Sequence, residues 1–317
     1  MTSDAASEPL VPIGLDGASA PPPDGSAEPE GFLVTTDDGT RIHFVDWGGP
    51  PGGIPGVLLV PGLLAPSWTW APVARRLRRR RRTVVTDLRG HGLSDAPMTG
   101  YDVATLAADA IAAAEASGLL AGGPIVLAGH GFGGTVAGAA AAQLGSRCGG
   151  LVLVDGGWER VAEVSGLDAD ELVRALEEPP EVMRTLDAWL ADRRDFDPPT
   201  WDADQERAAR EAVVETAAGH VVRAIRPHAV TAVAHAMIDA DPSTWLRDVA
   251  APAIALVALA AGDPDARLAE LRRTASERAD AGHGPMAMAG FAADGHNLMR
   301  YRPDEVCSAV LAVSGSA

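Results

Sequence analysis

The stretch Gly129-His130-Gly131-Phe132-Gly133-Gly134 follows the apolar run 124–128 and opens a small-residue, helix-prone run at 135–144. Strand, glycine turn and helix together are the context of a G-x-S-x-G nucleophile elbow, which holds a serine hydroxyl up on a sharp turn. The spacing is kept, but the nucleophile position holds Gly131. Glycine has no side chain with which to attack a carbonyl, so covalent acyl transfer is closed. The positive end of the following helix still points at the turn, as does the amide after the nucleophile position. An anion-stabilising pocket therefore does not depend on the missing serine.

Other residues with chemical potential read as structural. His228 and His235 sit seven apart on one helical face, near His220, but no acidic or cysteine ligand set accompanies them. No metal and no cofactor is called for. The arginine-rich block 75–82 is a solvated helix end, where positive charge suits the helix dipole. The formal net charge of −17 argues against nucleic acid or an anionic membrane as partner, which leaves a small-molecule substrate. All 26 basic residues are arginine, and Asn297 is the only asparagine, a coding bias that lowers the weight of any single arginine. The two cysteines, Cys148 and Cys307, fall in apolar segments and read as packed, reduced thiols.

The elements that must position the elbow are legible around it. Residues 1–30 carry six acids, no basic residue and the run Pro21-Pro22-Pro23, the composition of a disordered acidic tail. With no positively charged leader before an apolar segment, and no apolar run long enough to span a bilayer, a cytoplasmic location is expected. Two β-rich runs flank Asp38-Gly39 as a hairpin. Continuous apolar strands follow at 56–60, 83–88, 124–128 and 151–155, with helices at 68–77 and 101–116 between them. Such alternation means a parallel sheet with right-handed crossovers. From 157 to 245 helical patterns dominate, at 168–178, 181–194, 204–225 and 229–239, and read as an all-helical insertion. The sheet resumes at 253–258 and 286–292, with helices at 267–278 and 303–313; Pro303 opens the last of these.

Taken together, these motifs resemble those of α/β-hydrolase-fold proteins. Pro61-Gly62-Leu63 stands where that superfamily often has His-Gly-X, and Asp87-Leu88-Arg89-Gly90-His91-Gly92-Leu93-Ser94-Asp95 is similar to the D-x-R-G-x-G-x-S-D turn of its epoxide hydrolase and haloperoxidase-like branch. Gly295-His296-Asn297-Leu298-Met299 resembles the stretch carrying the catalytic histidine. The resemblance implies an α/β fold, with a mostly parallel twisted sheet and helices on both faces. Its core would be residues 31–156 and 246–317, with a helical cap at 157–245 after strand six. It also implies that His296 is the proton-transfer group. The orienting acid would lie in Gly262-Asp263-Pro264-Asp265, at Asp265 or, after a small loop shift, Asp263. Asp155, at the end of strand six, is where an acid is sometimes catalytic and more often structural. The oxyanion donors would be the amides of Leu63 and Phe132. Trp68, His130, Trp158 and Met299 are candidate pocket walls.

Three functions fit an elbow with glycine. The first is an enzyme of lyase, cyclase or isomerase type, in which a His–Asp dyad moves protons without a covalent intermediate. In the second, the histidine activates a water for hydrolysis. A binding protein that has kept the pocket is the third.

Overall fold

The computed structural model describes residues 28–50, 55–176, 184–259, 265–292 and 295–315. The expected tail falls almost entirely outside them. Strands β1 (Glu30–Thr35) and β2 (Arg41–Asp46) form the hairpin, with Gly39 at φ 84° in its turn. Strand β3 (Val57–Val60) leads through a 3₁₀ turn at Ser67–Trp70 into helix α1 (Ala71–Leu77), then β4 (Thr83–Thr86) and α2 (Val103–Ala116). The elbow joins β5 (Ile125–His130) to α3 (Phe132–Leu144), and β6 (Cys148–Val154) follows.

These strands, with β9 (Ala253–Leu259) and β10 (Met286–Ala292), make one eight-stranded sheet in the order β1-β2-β4-β3-β5-β6-β9-β10. The strands from β4 onward in that order pair in parallel; β1 and β2 are antiparallel to their neighbours. Helix α10 (Asp265–Asp280) connects the last two strands, and α11 (Leu298–Tyr301) and α12 (Pro303–Val313) close the described chain.

Period-two packing against layers on both faces explains why the central strands are buried at almost every position and predominantly apolar. Leu58, Val60, Leu127, Leu151, Leu153, Ala255 and Val257 face one core layer, against Leu106 and Ala110 of α2 and Val136 and Ala140 of α3. The alternate residues Val57, Leu59, Val126, Ala128, Val152, Val154, Ile254 and Leu256 face the other, against Val73 and Leu77 of α1 and Val306 and Val310 of α12. Each fully buried valine or leucine contributes about 1.5–3 kcal/mol relative to exposure, so the two layers fix the strand register and with it the strand ends.

The segment between β6 and β9 departs from an all-helical reading. It holds α4 (Val161–Ser165), α5 (Ala169–Leu176), α6 (Leu186–Phe196), α7 (Ala203–Glu211), α8 (Pro227–Asp239) and α9 (Ser243–Leu246). An antiparallel hairpin, β7 (Val213–Glu215) with β8 (Val221–Arg223), stands where the sequence suggests helix through 225. The helix ends at Glu211 because valine pairs follow it, and Gly219, at φ 77°, turns the chain back. Asp202 caps α7 through the Gln205 amide at 2.9 Å. The arginine block is held by carboxylates: Arg75 meets Asp204 at 2.9 Å and Arg82 meets Asp46 at 2.8 Å.

Candidate active site

Gly131 lies between β5 and α3 with φ 52° and ψ −123°, a conformation in which a residue bearing a Cβ is strained by about 1–3 kcal/mol. Its amide donates to the Val154 carbonyl at 2.9 Å, and its own carbonyl accepts from Gly134 at 2.9 Å. The turn is packed so closely that a Cβ on Gly156 would lie 2.7 Å from the Gly131 Cα. Glycines at both places are what let β5 and β6 end side by side.

His296 stands over this turn. A Cβ built on Gly131 would lie 3.1 Å from His296 Nε2 and 3.4 Å from Cε1. On the other side of the ring, Nδ1 meets an Asp155 carboxylate oxygen at 2.6 Å. The carboxylate that orients His296 is therefore Asp155, in place of the expected Asp265 or Asp263. Asp265 begins α10, and Asp263 lies outside the described residues. Asp155 follows the last residue of β6 with φ 48°, held by its amide on the Leu256 carbonyl at 2.8 Å. Its second carboxylate oxygen accepts from the Ala258 amide at 2.9 Å and from Arg267 at 2.8 Å. Burial alone would raise this carboxyl; the His296 bond, the Arg267 charge and the Ala258 amide outweigh it and hold the group below the ordinary aspartate value.

Arg267, on α10, is the residue the sequence reading missed. Its guanidinium bridges Asp155 and Glu159, the latter at 2.7 Å, and lies over the Trp158 ring, 5.3 Å from its centroid. Glu159 also accepts from the Gly157 amide at 3.1 Å, and burial pushes its carboxyl up despite the arginine. A chain of carboxylate, guanidinium, carboxylate and imidazole thus runs from beneath the cavity to its surface. The signal for Asp155 was an acid ending a buried strand beside two glycines; for Arg267 the sequence carried none.

His130 fixes the histidine from below. Its Nε2 donates to the His296 carbonyl at 3.1 Å, and the two rings tilt together with centroids 4.3 Å apart. This assigns the lone pair to Nδ1, which is buried with no hydrogen-bond partner among the described residues. Burial, then the facing His296, push His130 down to about 3, so it stays neutral.

The loop after β3 is held by the Asp87–Asp95 turn. Asp87 accepts from the Ser67 amide at 2.6 Å and meets His43 at 2.7 Å. Buried Arg89 pairs with Asp109 at 2.6 Å. Burial lowers His91, which donates from Nδ1 to the Arg89 carbonyl and accepts the Leu64 amide at 3.2 Å. That contact holds Leu64 at φ 64°, and with it the neighbouring Leu63 at the cavity.

A cavity of about 470 Å³ opens above Gly131. Leu63, Phe132, His130, Asp155, Arg267 and His296 all reach it, and Val161, Val164, Leu176 and Met237 supply its apolar wall. Phe132 is the first residue of α3, so its amide has no partner within the helix. Three expected wall residues are elsewhere. Trp158 is fully buried beneath Arg267 and donates to the Arg267 carbonyl at 3.3 Å; Trp68 is buried against Trp47; Met299 is packed in the α12 layer. Each is an apolar ring or chain drawn into the core by its own area.

Residues 57–309 match the model of the alpha/beta hydrolase family. N-formylmaleamate deformylase of Pseudomonas putida is 40% identical over 119 residues, 37% of this chain and 42% of that one. A 2-(acetamidomethylene)succinate hydrolase of Mesorhizobium japonicum is 34% identical over 143 residues, 45% of this chain and 50% of that one. The matches thus span half or less of those relatives' lengths. Among solved structures, E-2-(acetamidomethylene)succinate hydrolase superposes with a TM-score of 0.71 at 21% identity, covering 90% of this chain and 99% of that one.

Proposed function

The chain belongs to the alpha/beta hydrolase family, and from that premise we propose that it is a small-molecule enzyme working by non-covalent general acid/base chemistry. Gly131 takes the nucleophile position, His296 is the acid/base, and Asp155 orients it. The observation that carries this reading is the approach of His296 Nε2 to within 3.1 Å of where a Gly131 Cβ would stand. With no side chain at 131, a substrate atom admitted into that space meets Nε2 directly.

The chemistry follows from the lining. A substrate carbonyl oxygen placed between the Leu63 and Phe132 amides would have its developing charge stabilised by both and by the α3 dipole. His296 Nε2 removes a proton from the adjacent carbon, the electron pair moves onto the oxygen, and Asp155 stabilises the imidazolium. Returning that proton to a leaving group gives elimination; returning it to carbon gives isomerisation. Such proton transfer contributes about 10²–10⁴-fold in rate. The insertion after β6 supplies the apolar lid of this reading, and the buried free cysteines suit a cytoplasmic protein.

A second reading is favoured by the relatives, which are named as a deformylase and a hydrolase: His296 activates a water held in the space above Gly131. The two are separated by following the reaction in ¹⁸O-labelled water with wild type and His296→Ala. Loss of turnover in His296→Ala without label in the product supports the proton-transfer reading. Label incorporation would establish hydrolysis instead. Turnover undiminished by His296→Ala would refute both and leave a ligand-binding protein.

A further inference from the structure

The apolar wall of the cavity above Gly131 comes from three helices of the inserted segment. In α4, Val161 and Val164 stand three residues apart and so share a face. In α8 the buried stripe Val230, Val233 and Ala234 runs on by one turn to Met237, and Leu176 ends α5. Val161, Val164, Leu176 and Met237 line the cavity while only partly buried. Their exposed apolar area is what a bound ligand would take out of water.

The charged groups of the same cavity satisfy one another. Among the described residues Arg267 is its one guanidinium, and the residues outside them carry no Arg or Lys. Arg267 Nε donates to Glu159 Oε1 at 2.7 Å, and its Nη2 to Asp155 Oδ1 at 2.8 Å. The second oxygen of each carboxylate is taken too. Asp155 Oδ2 meets His296 at 2.6 Å, and Glu159 Oε2 accepts from the Gly157 and Trp158 amides at 3.1 and 3.3 Å. A ligand cation therefore finds no bare oxygen on either carboxylate. A ligand anion finds two carboxylates against one guanidinium that both already hold. Taking an unpaired ion out of water into such a place is costly, whereas an apolar group gains there.

We propose that the substrate is an uncharged carbonyl compound with an apolar arm. Its carbonyl oxygen lies between the Leu63 and Phe132 amides at Gly131, and its arm lies against Val161, Val164, Leu176 and Met237. The inference rests on the reading of Gly131 and His296 as the place of reaction, and it adds the substrate class. Val164 and Met237, on separate helices, are then residues that select the arm.

The test is a saturation-transfer NMR titration of the full chain with the straight-chain ketones from 2-butanone to 2-heptanone. Each added methylene should tighten binding about fourfold, so that 2-heptanone binds roughly 60-fold tighter than 2-butanone. Hexanoate and hexylammonium carry a similar chain on a charged head, and each should bind at least about tenfold more weakly than 2-heptanone. Met237→Gln and Val164→Thr keep the side-chain size and add polarity. Each should weaken 2-heptanone about fivefold and leave 2-butanone, whose arm is too short to gain from the wall, little changed. An affinity that does not rise along the series, or a charged probe that binds as tightly as 2-heptanone, would overturn the proposal. So would 2-heptanone binding at wild-type strength in both variants. No turnover enters the titration, so a His296 without a catalytic role would leave these affinities as stated. A flat series would remove the substrate class alone, with the acid/base reading still judged by the reaction in labelled water.

Discussion

Changing Gly131 tests the account of the elbow at its centre. The residue has φ 52° and ψ −123°, so any side chain there carries a backbone strain of about 1–3 kcal/mol. The new Cβ would meet His296 Nε2 at 3.1 Å. The imidazole must then withdraw by a few tenths of an ångström, which its 59% exposed side chain allows at little cost. Gly131→Ala should therefore be destabilised by about 1–3 kcal/mol, almost wholly from the backbone. Gly131→Ser bears the same strain but gains a hydroxyl facing Nε2, which returns about 0.5–1.5 kcal/mol. At roughly 2–4 °C per kcal/mol for large domains, the alanine variant should melt about 2–12 °C below wild type, with serine between. Differential scanning fluorimetry at pH 7.5 orders the three proteins, and p-nitrophenyl acetate reads the site. Ester hydrolysis should appear in the serine variant and in neither of the others. An alanine variant melting at or above wild type would refute the strain argument. Equal ester hydrolysis by alanine and serine would refute the placing of residue 131 at the nucleophile position.

Other outcomes follow from the surrounding bonds. Asp155→Asn keeps the shape but releases the His296 tautomer, and should lower turnover by on the order of 10²–10⁴ with KM little changed. His130 is neutral in the fold, with its value pushed down to about 3, while an unfolded histidine titrates near 6.5. The unfolded chain therefore binds the extra proton between those values, and stability falls as pH drops from about 6.5 toward 3, by up to about 1.4 kcal/mol per unit. Urea midpoints at pH 7.5 and 5.5 should differ accordingly, His91 adding in the same direction, and His130→Gln should flatten the slope. Arg267→Met removes the cation shared by buried Asp155 and Glu159, and should cost about 3–5 kcal/mol. A second change, Glu159→Gln, should recover part of that in the same urea titration; no recovery would mean that the loss came from packing on Trp158.

The fold was legible because the central strands are short, predominantly apolar runs bounded by glycine, proline or aspartate turns, the pattern of a sheet covered on both faces. The elbow was legible for the same reason: its glycines mark backbone contacts that no Cβ survives. The acid was not. Gly262-Asp263-Pro264-Asp265 satisfies a turn pattern that aspartate and proline make wherever a chain bends, and it outweighed Asp155, whose claim rests on a neighbour 141 positions away in sequence. The β7–β8 hairpin was missed because a helical period runs on into Val213 and Val214, where cross-strand pairing with Val222 and Arg223 decides the outcome. Local pattern reports what one segment prefers; partners distant in sequence decide between near-equal preferences.

The short distance between His296 and the empty Cβ position of Gly131 also bears on reversibility. Some glycine codons lie a single base from serine, so a hydroxyl at 131 is mutationally near. The imidazole stands 3.1 Å from that position and can yield the few tenths of an ångström that a Cβ needs, so the contact itself leaves the change open. What a serine must outweigh is the backbone strain of about 1–3 kcal/mol at φ 52°, so the barrier to a hydroxyl there is one of stability and not of room.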